Sequence, residues 1–150
     1  MEINKEENLK ATGEVLIQLL DSTGAVKSEQ KVKNLVVTVG KTYIANRMQG
    51  TSIATVMGYM AIGTNTTTPA VANTALGTEA GRVALASFTS SGAQVTATAT
   101  FPAGTGTGAI TEAGIFNASS AGTMLCRTTF PVVNKAAGDS IAVTWVVTVS

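Results

Sequence analysis

Alternation of apolar and hydroxyl-bearing residues is the feature that most constrains the fold of this chain. Between Val95 and Phe101 every odd residue is apolar and every even residue is threonine. Val143, Trp145 and Val147 repeat this spacing near the C-terminus, with threonine or valine between them. A period of two is typical of a β-strand that buries one face. These segments are therefore predicted to be strands with their odd-numbered side chains in a core.

Turn-forming residues separate further strand-like segments at regular intervals along the chain. The predicted strands span residues 14–20, 26–36, 57–62, 82–88, 94–101, 109–117, 123–133 and 141–149. Only residues 38–48 show helical spacing, with Val39, Tyr43 and Met48 on one side and Gly50 as a stop. The pattern predicts an all-β fold, an antiparallel and jelly-roll-like β-sandwich of about eight strands. An N-terminal β-hairpin and one short α-helix complete it.

The length of 150 residues suits one domain with its own core. We expect residues 1–10 to form a flexible arm and residues 11–150 to form a single β-sandwich domain. Within that domain, residues 11–36 are the charged hairpin, 38–48 the helix and 54–150 the sandwich core. The loop 64–78 is predicted to be too polar for the core. Because proline lacks an N–H donor, Pro131 predicts a sheet edge or a strand end at its position.

Charge is scarce and unevenly distributed. Charged residues make up 13% of the chain, about half the usual share for a soluble domain. The first fifty residues hold seven Lys/Arg and six Asp/Glu, and the remaining hundred hold three of each. The uncharged stretches 48–78 and 83–111 are too often broken by Gly, Pro, Ser and Thr to predict a membrane span. The N-terminus is of mixed charge and does not resemble a signal peptide.

Missing residue types argue against several classes of function. The chain has no histidine, one cysteine and a formal net charge of +1. It lacks the commonest general base and metal ligand, and it cannot form an internal disulfide. It also carries no basic excess that would attract nucleic acid or an acidic membrane. We therefore expect a protein that is not an enzyme, with no cofactor, metal, nucleic-acid or membrane partner.

Glu112 stands in an otherwise apolar predicted strand. A buried carboxylate must be paired or change its protonation. A catalytic acid of the glycosidase type would need a second carboxylate, and Glu79 and Asp139 both lie at loops. We predict instead a structural ion pair between Glu112 and either Arg82 or Arg127. Glu79 and Arg82, three residues apart, could also pair locally.

Three other features carry alternative interpretations. Without a histidine base, Cys126 is expected to be a small buried residue rather than a nucleophile. Trp145 is expected to anchor the core, although with Tyr59 it could stack on sugar in a carbohydrate-binding module. The Gly104–Gly108 segment has no lysine and leads into a strand, so it predicts a wide turn rather than a phosphate loop.

The charged hairpin is the candidate partner contact. Lys27, Glu29, Lys31 and Lys33 share one predicted strand face. They either form an ordinary solvated face or dock the chain onto an adjacent subunit. A mixed-charge element on a charge-poor body suits electrostatic registration with a partner.

Several segments resemble a family of small tailed-bacteriophage virion proteins. The first is the stretch NLVVTVGKTYIA at Asn34–Ala45, and the longest is FPAGTGTGAITEAGIFN at Phe101–Asn117. Between them lie Tyr59–Thr64, Thr74–Glu79 and Arg82–Leu85. Together they extend the resemblance over nearly the whole chain.

Members of that family are described as structural, head-decoration, collar or tail-fibre proteins, and the resemblance implies no catalytic residue. We expect a capsid decoration or cement protein that stabilises the head lattice. Its expected partners are further copies of itself, as a dimer or trimer, and the major capsid protein or other virion proteins. Its expected location is the virion, after synthesis in the host cytoplasm. A collar, neck or tail-fibre attachment protein is the alternative, ahead of a carbohydrate-binding module.

Overall fold

The structure, a computed structural model, describes residues 8–50 and 54–150. Nine strands and one helix follow each other along these residues. Their bounds are β1 Ala11–Leu20, β2 Val26–Val36, α1 Thr38–Gln49, β3 Tyr59–Gly63, β4 Glu79–Ala84, β5 Ser87–Ser91, β6 Gln94–Phe101, β7 Gly108–Phe116, β8 Met124–Lys135 and β9 Ser140–Val149.

All nine strands belong to one curled antiparallel sheet with the order β4-β3-β7-β8-β2-β1-β9-β6-β5. Strand β2 joins the two halves of this sheet. It pairs with β1 from Val26 to Asn34, whereas its last residues Leu35 and Val36 pair with β8. The strands β4, β3, β7 and β8 form one layer, here the loop-covered layer. The strands β1, β9, β6 and β5 form the other, here the threonine layer.

The core lies between the two layers. The strands β1, β9 and β6 of the threonine layer contribute their odd-numbered side chains, among them Ile17, Phe101 and Trp145, which are at most 1% exposed. Met60 and Ile115 of the loop-covered layer pack in the same cluster. Each such side chain contributes about 1.5–3 kcal/mol when fully buried. The predicted all-β, sandwich-like fold is confirmed, and so is the inward phase of its two alternating segments.

The segment predicted as one strand over residues 82–88 is two strands, which is why the sheet has nine rather than eight. The Leu85 N–H donates to the Gly58 carbonyl at 2.9 Å, and the Ala86 N–H donates to the Thr98 carbonyl at 2.7 Å. These neighbouring residues therefore bond to opposite layers, and the chain crosses from one layer to the other between them. The apolar residues continue through this point, so the sequence pattern carries no sign of the break.

The helix spans one residue more than predicted and ends at Gly50. It lies on β8 at Gly40, where a Cβ atom would come within 2.1 Å of the Leu125 carbonyl oxygen. Tyr43 and Ile44 pack against the core cluster. Met48, which we expected on the packed side, is 76% exposed. The contact with the sheet thus uses the first and middle turns of the helix. No helix in the described ranges is both long and apolar enough to cross a membrane.

Strand β8 continues through Pro131 to Lys135, so the predicted strand end there is wrong. The prediction of a sheet edge agrees with the pairing, because β2 pairs with β8 only at Arg127 and Cys126. Pro131 lies beyond that pairing, where no N–H donor is needed toward β2. Its carbonyl accepts a hydrogen bond from Gln30 Nε2 at 2.9 Å.

Candidate functional site

Glu112 of β7 anchors the loop 64–78 to the outside of the loop-covered layer. Its Oε2 atom accepts the backbone N–H groups of Asn65 at 3.0 Å and Thr78 at 2.8 Å. Its Oε1 atom accepts the N–H of Gly77 at 2.8 Å. Backbone donors from both ends of the loop therefore meet on one carboxylate.

Arg127 of β8 completes this cluster and is the ion-pair partner of Glu112. Its Nε and one terminal nitrogen each lie 3.1 Å from Glu112 Oε1, and the two side chains are 2% and 0% exposed. The guanidinium also donates to the side-chain oxygens of Asn73 at 3.1 Å and Asn65 at 3.3 Å. Both carboxylate oxygens are occupied by donors and shielded from solvent. A substrate could reach Glu112 only if the loop opened.

Most of the loop is exposed, as its polarity predicted, but Leu76 is an exception. Leu76 is 9% exposed and packs in a second cluster with Ala61 and Phe116. The loop approaches the sheet so closely at Gly63 that a Cβ atom there would lie 2.3 Å from the Thr78 carbonyl oxygen. The half-buried Asn65 and Asn73 bond to Arg127, whereas the threonines of the loop are exposed. The loop is therefore exposed along most of its length but is held to the sheet at its two ends.

Arg82 does not contact Glu112, so that alternative for the ion pair is wrong. Arg82 lies on β4, which is separated from β7 by β3. It pairs instead with Glu79 at 2.6 Å, as its spacing suggested. It also donates to the carbonyl groups of residues 118 and 121 at 2.8 and 2.9 Å, and it lies 3.9 Å from the centre of the Phe116 ring. It thus fixes the turn between β7 and β8.

Lys27, the first residue of the candidate partner contact, is tied to the body of the protein. Its Nζ lies 2.9 Å from Asp139 Oδ2, with side-chain exposures of 44% and 7%. Together with the N–H of Ala136, the hydrogen bond from Lys27 holds the pKa of Asp139 below its ordinary value. The two residues are 112 positions apart, so local sequence spacing gave no sign of the pair.

The other three residues of the candidate partner contact remain at the surface. Lys31 pairs with Glu14 at 3.3 Å, with side-chain exposures of 63% and 55%. Glu29 accepts a hydrogen bond from Gln18 at 2.7 Å. Lys33 is exposed and forms no ion pair within the described part of the chain. Exposed pairs of this kind contribute little stability, so these side chains can exchange partners at low cost.

Lys135 lies beyond the strand predicted over residues 123–133, and the sequence pattern assigned it no role. It is 2% exposed, and its Nζ donates to the Pro102 carbonyl at 2.9 Å. Burial lowers its pKa, and the charge of Asp139 opposes that shift. Lys135 therefore links the end of β8 to the turn after β6. Its position at the end of an apolar strand was the one available signal.

Cys126 and Trp145 have the structural roles predicted for them. Cys126 is fully buried, and this burial strongly raises its thiol pKa. Trp145 is 0% exposed, and its indole N–H donates to Asn34 Oδ1 at 3.1 Å. The Trp145 ring has no exposed face on which a sugar could stack. Tyr59 is half-buried against the cluster around Phe116.

The outward face of β9, β6 and β5 carries no charged residue. Register places the outward residues of these strands in lateral rows, for example Val146 beside Thr96 and Thr96 beside Thr89. We call this the hydroxyl face. Its twelve outward residues are Ser87, Thr89, Ser91, Gln94, Thr96, Thr98, Thr100, Ser140, Ala142, Thr144, Val146 and Thr148.

The charges nearest to this face lie on β1, the next strand of the layer, and on β2 beside it. Glu14 lies opposite Val146 on one side and Lys33 on the other. The outer surface therefore changes from uncharged to mixed charge across the β9–β1 boundary.

No protein-family model matches this chain, and neither does a curated protein or a solved structure.

Proposed function

We propose that this chain is a structural protein of a tailed-bacteriophage particle, where it decorates and stabilises the capsid. The observation that carries this proposal is the hydroxyl face together with the mixed-charge hairpin beside it. The segments that resemble virion proteins support the same interpretation. The Glu112–Arg127 cluster holds the longest loop, residues 64–78, against the sheet, as suits a structural protein.

The hydroxyl face suits extended contact with another protein. Burial of charged side chains in an interface is expensive unless each one finds a partner, and this face has none to bury. Threonine and serine hydroxyls keep the free surface wettable and can donate or accept hydrogen bonds once a partner arrives. A stable interface needs about 800 Å² on each partner. The three neighbouring strands present their uncharged residues as one continuous surface to such a partner.

The charged hairpin sets the orientation in which this chain binds its partner and adds little to the binding energy. Charged groups at the border of an interface steer encounter and select orientation more than they add binding energy. Lys33 and the exposed Lys31–Glu14 pair stand beside the uncharged face, where they would meet a partner's rim. We propose the major capsid protein, together with further copies of this chain, as that partner. Bound copies would stabilise the assembled shell by mass action.

Copy number per particle tests the location. Particles of the phage that encodes this chain are purified, and the chain is quantified against the major capsid protein by mass spectrometry. We expect hundreds of copies, and heads lacking the chain should break at a lower temperature. About six to twelve copies at the portal end would contradict decoration and favour a collar, neck or tail-fibre attachment protein.

A surface variant tests the face itself. Thr96→Lys places a charge in the middle of the hydroxyl face, and we expect at least a tenfold loss of binding to capsids stripped of the chain. Thr66→Lys, at an exposed position of the loop 64–78, is the matched control and should bind normally. Equal binding by the two variants would show that the hydroxyl face does not contact the capsid.

A further inference from the structure

Strand β5 is an open edge of the sheet. Within the described ranges its backbone pairs with β6 alone, and all five residues from Ser87 to Ser91 are exposed. Every second residue of such a strand directs its N–H and C=O groups away from its one neighbour. These groups form a row of donors and acceptors that a further strand can bond.

The opposite edge of the sheet, β4, is protected in the ways that edges usually are. It carries the charged residues Glu79 and Arg82. The turn after β6 also lies against it, so that a Cβ atom at Gly81 would be 3.1 Å from the Gly106 nitrogen. Strand β5 has the sequence Ser-Phe-Thr-Ser-Ser, without charge or proline. Proteins commonly use charge, proline or a covering loop to prevent edge pairing, and β5 has none of these within the described residues.

Phe88 gives a second, independent indication that β5 is incomplete. Register pairs it with Ala97, whose side chain points into the core and is 1% exposed. Phe88 therefore has the inward phase, yet it is 38% exposed. The core of one chain does not cover this ring. A strand added beside β5 would place side chains next to it on the same side of the sheet.

We propose that β5 is the self-association edge of this protein, where two copies pair their β5 strands antiparallel across a two-fold axis. The occupant is a second copy because the strand is self-complementary. A two-fold axis brings identical residues together, which a charged strand would resist, and no residue between Arg82 and Glu112 is charged. This inference specifies how copies of this chain associate, and it rests on the homo-oligomer named in the proposed function.

The register that pairs all five residues places the two copies of Thr89 opposite each other. Ser87 of each copy then lies opposite Ser91 of the other, and Phe88 opposite Ser90. Directly opposed residues share a sheet face. The hydroxyl faces of the two copies therefore join into one uncharged surface, and each Phe88 ring gains a neighbour from the other copy.

Charge reversal at Thr89 tests the interface in the full-length chain. The unmodified protein is expected to sediment as a dimer, with the assay extended to about 100 µM so that a micromolar Kd is detected. Thr89→Lys and Thr89→Glu should each raise the Kd at least tenfold, because each brings two like charges together. A one-to-one mixture of the two variants should restore the dimer. Thr12→Lys, exposed on β1, is the matched control and should remain dimeric.

Cysteine cross-linking gives a readout that does not depend on affinity. Opposed residues in an antiparallel pair have Cα atoms about 4.5–5.5 Å apart, within the range of a disulfide. Thr89→Cys should therefore form a covalent dimer when copper-phenanthroline and dioxygen oxidise the two thiols, and Thr12→Cys should not. The native Cys126 is buried and does not compete.

Several results would overturn the proposal. A monomer at every concentration contradicts it, and so does a trimer, since two-fold edge pairing closes at two copies. A dimer that survives both Thr89 charge variants places the interface elsewhere. Copy number in the particle tests the location on the capsid, whereas sedimentation and cross-linking test the β5 interface. Either prediction can therefore fail without the other.

Discussion

Removal of the Glu112 carboxylate should detach the loop 64–78 and destabilise the whole domain. In Glu112→Ala, the buried Arg127 loses its counter-ion, a change that costs about 3–5 kcal/mol when one partner of a buried pair is deleted. The N–H groups of Asn65, Gly77 and Thr78 lose their acceptor, at about 1–3 kcal/mol each if they stay dry. Loop opening would rehydrate these groups but expose Leu76. We therefore expect a net loss of about 5 kcal/mol, close to the total stability of many domains.

Arg127→Met should cost less than Glu112→Ala. The carboxylate keeps its three backbone donors when the guanidinium is absent, so its charge remains compensated. We expect a loss of about 2–3 kcal/mol. The double variant should lose less than the sum of the two single variants, because no unpaired cation is left behind.

Urea unfolding followed by the fluorescence of the single, fully buried Trp145 measures these free energies. Hydrogen exchange at the three loop amides reports local opening separately. Glu79→Gln, which breaks the more exposed Arg82 pair, is the control and should cost about 1 kcal/mol or less. A Glu112→Ala loss below about 2 kcal/mol, or additive single and double variants, would refute the anchoring role of Glu112.

Three further predictions concern other parts of the fold. The hydrogen bond from Lys27 lowers the pKa of Asp139 in the folded protein. The ionised Asp139 therefore stabilises the fold above its unfolded pKa, and this stabilisation is lost as the pH falls through the folded pKa. Asp139→Asn should remove this dependence, so that Tm falls less steeply with pH in acid. The Cys126 thiol should react with a disulfide reagent only after unfolding, because burial raises its pKa and blocks access, and fast labelling of the native protein would contradict this. Gly63→Ala should cost about 1–3 kcal/mol in urea unfolding, because its Cβ atom would overlap the Thr78 carbonyl; an unchanged midpoint would show that the loop can move aside.

The sequence predicted those parts of the fold that depend on local pattern. Alternation in β6 and β9 identified the inward residues correctly, because burial of one sheet face requires a period of two. The burial of Glu112 was also predictable, since the residues around it are apolar. The choice between Arg82 and Arg127 was not, because it depends on which strand lies next to β7.

Polarity predicted the exposure of the loop 64–78 but not its attachment to the sheet. The loop 64–78 contains threonines, asparagines and one proline, which is typical of a solvated loop. Its backbone N–H groups find an acceptor on Glu112, and its Asn65 and Asn73 side chains find a donor on Arg127. Such satisfaction depends on residues far along the chain. Composition therefore predicts that the loop is exposed, but it cannot predict which distant side chains hold the loop to the sheet.

Scarcity of charge has a more specific meaning in the structure than in the sequence. All six charged residues after position 50 have an intramolecular polar contact: Glu79 with Arg82, Glu112 with Arg127, Asp139 with Lys27, and Lys135 with the Pro102 carbonyl. The charged residues of this part of the chain thus hold loops and turns in place, and none of them lies on the hydroxyl face. If two copies pair at β5 as proposed, this face doubles in width and the charged hairpins lie at its two ends. A partner would then meet a neutral centre between two charged margins. In such an interface the centre provides the contact area, and the charged margins select the orientation of the partner.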